Sequence, residues 1–158
     1  MKKITESEAL NKAAAYCTLC ERCISEVTDK LNTWGVDKSS QQTIIDRLID
    51  EKFIDEKRYS SAYVNDKLRF NHWGRIKIRA KLKEKKVPQE EIATALENID
   101  DEEYNNILQT VLNNKSKEIK ENIDIKRKEK LLRFAASRGF EPSLIMKQLN
   151  YYTNEVDI

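Results

Sequence analysis

The chain has 158 residues, 35% of them charged and 39% hydrophobic, with three glycines, two prolines and a net charge of +2. Rich in helix formers and poor in breakers, it predicts an all-α protein, and the small net charge excludes a global pull toward nucleic acid. No stretch approaches the roughly 18 consecutive apolar residues of a membrane span. The basic start Met1-Lys2-Lys3-Ile4 runs at once into Thr5-Glu6-Ser7-Glu8, so no signal-peptide core is expected and the expected location is the cytoplasm.

In chain order, Thr5 with Glu8 forms a capping box that opens a helix from Ser7 to about Cys17, with Leu10, Ala13, Ala14 and Cys17 on one side. A second helix is expected from about Glu21 to Trp34, with Ile24, Val27 and Leu31 at the spacing of a buried stripe and Gly35 as its left-handed end. Ser39 with Gln42 predicts the start of a third, with Ile44, Ile45, Leu48 and Ile49 inward. Asp55 is the next cap, and Tyr59, Ala62, Tyr63 and Leu68 are the expected buried set of a helix ending near Phe70, with more than one helical phase left open. Asn71-His72-Trp73-Gly74 reads as a break. Arg75 to Lys83 alternates like a strand, but its Lys, Arg, Ala and Leu favour helix and no partner strand is visible. Pro88 opens a helix carrying Ile92, Ala95 and Leu96, and Asp100 with Glu103 opens another through Leu112. Polar Asn113 to Ser116 suggests a break, with its place between residues 113 and 125 and a continuous helix both left open, then a basic helix to about Arg138, Gly139, and a short helix opened by Pro142.

An internal repeat orders these elements. Gly35-Val36, Lys86-Val87 and Gly139-Phe140 are spaced by 51 and 53 residues, and Leu31, Leu82 and Ala135 precede them at one offset. A period near fifty with three helices per unit predicts a tandem array of three three-helix repeats at 1–53, 54–99 and 100–150, with a tail at 151–158. The apolar residues are spread thinly, which suits an elongated body. Neighbouring repeats are expected to pack on one another.

The charge is segregated by segment. Between Lys67 and Lys86 nine Lys or Arg meet the single acid Glu84, a local net of +8, whereas Glu90 to Glu103 holds seven acids and no base. A second basic concentration, Lys126 to Arg138, occupies the equivalent helix of the third repeat. Recurrence on equivalent helices points to one surface for an anionic partner. Cys17, Cys20 and Cys23 form a C-x2-C-x2-C run, a spacing that can hold a metal or cluster, but the one histidine, His72, leaves no full ligand set. The thiols are therefore expected to be free, small helix or interface residues, with no cofactor. No nucleotide-binding glycine loop and no nucleophile–base pair is present, so no enzyme is expected.

The blocks Leu48, Ile54-Asp55, Arg58-Tyr59, Ala62, Gly74, Lys77-Ile78, Leu82, Lys85 and Val87 resemble the middle of the RecX regulatory proteins. Ser25-Glu26-Val27 with Lys30-Leu31 and Gly35 resembles that family's first block, and Lys130-Leu131, Arg133-Phe134 and Arg138-Gly139-Phe140 its last. Glu56, Lys86 and Ala135 depart from the pattern, and the cysteine run lies outside it. The resemblance implies three tandem three-helix repeats, curved to track a groove. It also implies a regulator that binds the RecA recombinase filament and inhibits its ATPase, strand-exchange and coprotease activities, and a monomer is expected. Contact with single- or double-stranded DNA is left open, a stand-alone DNA-binding module being the alternative. From their charge, Arg75, Lys77, Arg79, Lys81, Arg133 and Arg138 are expected to face the filament. Asp55, Arg58, Tyr59, Ala62, Gly74, Ile78, Leu82, Gly139 and Phe140 are expected to shape the fold.

Overall fold

The computed structural model describes residues 3–150, and the expected tail at 151–158 lies outside them. Among the described residues the chain is all-helical: α1 (Glu6–Leu19), α2 (Ile24–Thr33), α3 (Lys38–Asp50), α4 (Glu56–Arg69), α5 (Arg75–Glu84), α6 (Gln89–Glu97), α7 (Asp101–Ser116), α8 (Asp124–Ser137) and α9 (Pro142–Gln148). No helix among them is long and apolar enough to cross a membrane. The alternating segment at Arg75 is a helix. Ile78 and Leu82, four residues apart, are fully buried while Ile76 stays largely exposed, so only every second isoleucine-type position faces inward.

The helix ends carry the repeat in hydrogen bonds. At the ends of α2, α5 and α8 the amides of Val36, Val87 and Phe140 donate to the carbonyls of Leu31, Leu82 and Ala135 at 3.0, 3.2 and 3.2 Å. Those of Gly35, Lys86 and Gly139 donate to Asn32, Lys83 and Ala136, each at 3.0 Å. Gly35, Lys86 and Gly139 all have positive φ, at 75°, 61° and 98°. This is one helix stop made three times, and at Lys86 it is made without glycine. The first helices also start alike: the side chains of Thr5, Asp55 and Asp100 accept from the amides of Glu8, Arg58 and Glu103 at 3.1, 3.0 and 2.9 Å.

Several local expectations are corrected. α2 starts at Ile24 behind Cys23, because Glu26 folds back to accept from the Cys23 amide at 3.1 Å. α3 is capped by Asp37, which accepts from the amides and hydroxyls that follow it, Ser40 N at 2.9 Å among them, so Ser39 lies inside the helix. α7 runs on through Ser116, and the break falls at 117–123, where Arg127 donates to the carbonyls of Ser116, Ile119 and Glu121. On α4 the buried positions are Tyr59, Ser60, Val64 and Leu68, which leaves Ala62 exposed. Ser60 fits inside because its hydroxyl donates to the Glu56 carbonyl at 2.7 Å. Ile49, expected inward, is largely exposed, and in α1 Ala9 takes the core position ahead of Leu10.

Described residues fall into two compact units. The first holds the chain up to Tyr63 with Leu82–Ala95, and its core joins Ala9, Ala13, Val27, Leu31, Ile44, Leu48 and Ile54. The second holds Val64–Lys81 with the chain from Leu96 on, around Tyr104, Leu108, Leu131, Phe140 and Ile145.

Candidate functional site

Each unit contains a junction of the same design. In the first unit, Tyr59, fourth after its cap Asp55, is buried and feels the Cys23 thiol at the head of α2. In the second, Tyr104, fourth after Asp100, accepts from the Arg75 amide at 3.0 Å at the head of α5 and donates to Glu141. Burial pushes both phenols up, so each acts as a neutral hydrogen-bonding group. Arg58 is tied to Glu21 at 2.5 Å and to the carbonyl of Lys52 at 2.9 Å. In the second unit Glu103, third after its cap as Arg58 is, binds Arg69 at 2.7 and 3.3 Å with the polarity reversed.

The close approach at the second of these junctions explains two glycines. Gly74 N donates to the Arg138 carbonyl at 2.8 Å, and Ile76 N donates to the Gly139 carbonyl at 3.0 Å. A Cβ on Gly74 would overlap the Gly139 backbone, and one on Gly139 would overlap the backbone and Cβ of Lys77. Cys23 holds the place in the first unit that Gly74 holds in the second, with its thiol 3.9 Å from the Lys85 carbonyl. It is fully buried, and burial pushes its thiol up. Cys17 is buried in α1 and Cys20 is exposed in the linker, so the three thiols occupy three environments. Among the described residues no group of His, Cys, Asp or Glu is placed to hold a metal ion.

Of the expected cationic contacts, Arg75 is engaged inside its unit. Its guanidinium pairs with Glu141 at 2.8 Å and Asp101 at 3.1 Å, lies over the Tyr104 ring, and is 19% exposed. Arg79 and Arg133 are exposed, and Lys77, Lys81 and Arg138 are half-buried. Tyr104, Asp101, Glu141 and Glu21 were not singled out from sequence. Tyr104 was findable, since it follows Asp100 as Tyr59 follows Asp55.

Residues 55–96, which span α4 to α6, match the family model described as RecX, second three-helix domain. The regulatory protein RecX of Lactobacillus johnsonii is 26% identical over 159 residues, covering 99% of this chain and 59% of that protein. That of a Clostridium botulinum type E strain is 37% identical over 124 residues, 76% of this chain and 57% of that protein. The chain belongs to the RecX family. It spans little more than half the length of these RecX relatives. The crystal structure of RecX from Lactobacillus salivarius superposes with a TM-score of 0.82 at 22% identity, covering 92% of this chain and 97% of that one. Another RecX crystal structure reaches 0.84 at 19% identity, over 92% and 72% of the two chains. The fold is therefore that of RecX, and the matched residues 55–96 include the Asp55 cap, Arg58 and Gly74.

Proposed function

We propose that the chain is a non-enzymatic regulator of the RecA recombinase, acting as a monomer that binds the RecA filament and inhibits its ATPase, strand-exchange and coprotease activities. Membership of the RecX family carries this reading, because the relatives it matches are named regulatory proteins. The charge distribution supports it: cations concentrate on α5 and α8, the second helices of successive repeats. Lys77, Arg79, Lys81, Arg133 and Arg138 form the proposed contact set. Arg75 contributes by fixing the start of α5, given its two internal carboxylates. Several weak contacts on one filament sum through effective concentration, so substoichiometric inhibition is expected.

The test is ATP hydrolysis by the recombinase of the same organism on single-stranded DNA, with this protein titrated in. Turnover should fall at well under one protein per recombinase. Unchanged turnover at saturating protein would overturn the reading.

A further inference from the structure

The first unit lacks a cation that the second supplies from within. In the second, Arg75 opens α5 and sits between two carboxylates, pairing with Asp101 at 3.1 Å and with Glu141 at 2.8 Å. Counting from the same caps and helix stops gives the counterparts in the first unit. Arg75 becomes Ile24, the first residue of α2, and Asp101, first after its cap Asp100, becomes Glu56, first after its cap Asp55. Glu141, second after Gly139, becomes Pro88, second after Lys86. A carboxylate is kept and its guanidinium is gone.

Those counterparts line an open cavity of about 320 Å³, with walls of Ile24, Ile49, Ile54 and Pro88 and with Glu56 and a second acid, Glu91, beside them. Glu56 Oε2 is buried and meets no partner, and neither carboxylate pairs with a cation among the described residues. Burial raises the Glu56 carboxyl, and the charge that adds to this is the like charge of Glu91. Helix starts favour acids, which accounts for carboxylates here but not for a buried oxygen without a donor. Ile49 is 39% exposed, an apolar wall with nothing over it.

We infer that this cavity receives an arginine side chain from a partner protein, its stem on the isoleucine walls and its guanidinium at Glu56 and Glu91, as Arg75 sits at Asp101 and Glu141. A metal ion gains nothing from apolar walls, whereas an amphipathic side chain buries its stem on them and keeps its charge at the acids. An ammonium is a point charge, but a guanidinium offers separate nitrogens to two carboxylates, as Arg75 does. The exposed Lys52 and Lys57 also line the cavity and would repel a ligand with a second charge. A lone arginine on a neutral backbone brings one. This site goes beyond recombinase regulation: its sign is opposite to that of the cationic contact set, and its test needs no recombinase.

The probe is the blocked peptide acetyl-Gly-Arg-Gly-amide, followed by NMR of the isoleucine methyl groups. Saturable shifts are expected at Ile24, Ile49 and Ile54, with half-saturation on the order of 10 mM, the range of a small ligand with few contacts. The same peptide with citrulline, which keeps the shape and loses the charge, should give none. Glu56→Gln with Glu91→Gln should weaken binding about tenfold or more. Ile24→Arg puts the guanidinium of the second unit into the first, and should abolish peptide binding in a protein of unchanged circular dichroism. The glutamine pair decides where Ile24→Arg does not fold. Absent shifts with the arginine peptide, equal binding of the citrulline peptide, or undiminished binding by the glutamine pair would overturn the cation site. Wild-type binding by a folded Ile24→Arg would overturn the correspondence with Arg75. Equal binding of the matching lysine peptide would overturn the choice of arginine. Tighter binding of agmatine, a free guanidine with a second charge, would overturn the protein source.

Discussion

Two glutamates in the first unit show how one residue type takes opposite roles within a few turns of chain. Burial alone would raise the Glu26 carboxyl, but the Cys23 amide and the Lys85 ammonium outweigh it and hold the group below its usual range. Burial raises Glu56, helped by the nearby Glu91 and opposed by the Ile24 amide, and its second oxygen is buried with no partner. A lowered folded-state pKa stabilises above the unfolded value and is lost as pH falls through the folded one. A raised one costs stability above the folded value, and that cost vanishes below the unfolded one. Glu26→Gln should therefore lower the thermal midpoint at pH 7, and Glu56→Gln should raise it, the neutral amide keeping an acceptor for Ile24. Both differences should close as pH drops below about 4, the ordinary glutamate range. Midpoints measured from pH 3 to 8 decide; matching signs at pH 7 would refute the assignment.

At the scale of elements, the junction is the part that a sequence reading could not reach. Helix starts and stops were legible because caps are local: Thr5, Asp55, Asp100, Gly35 and Gly139 lie within a few residues of the groups they satisfy. Lys86 was legible only through the repeat, since nothing in a lysine announces a φ of 61°. Ala62 misled because the spacing of Tyr59, Ala62 and Tyr63 fits more than one helical phase, and Ser60 took the inward place by bonding its own backbone. Arg75 misled differently: its partners Asp101 and Glu141 are 26 and 66 residues away, so its sequence neighbours made it look like a surface cation. The cost of a missing partner at this junction is testable. Tyr104→Phe removes the acceptor for the Arg75 amide and the donor to Glu141, while keeping the packing on Phe140 at 5.3 Å. Loss of one buried partner costs about 1–3 kcal/mol. Chemical denaturation should show that drop, and a change under about 0.5 kcal/mol would mean the network carries little stability.

For the molecule as a whole, a net charge of +2 conceals strong segregation, and the regulatory reading depends on which cations matter rather than how many there are. Replacing Lys77, Arg79, Lys81 and Arg133 by glutamine turns the net charge from +2 to −2. Replacing the exposed Lys3, Lys38, Lys57 and Lys120 does the same. Long-range steering feels the total charge as well as its arrangement, but screening beyond about 8–10 Å at physiological salt leaves close contacts dominant. The first variant should need about ten times more protein for half-inhibition of the recombinase ATPase, and the second no more than about three times. The gap between wild type and the first variant should narrow as salt is raised from about 50 to 300 mM, because the contacts it lacks are the screened ones. Equal losses in the two variants would assign the effect to net charge, and the helices α5 and α8 would then hold no special place in binding.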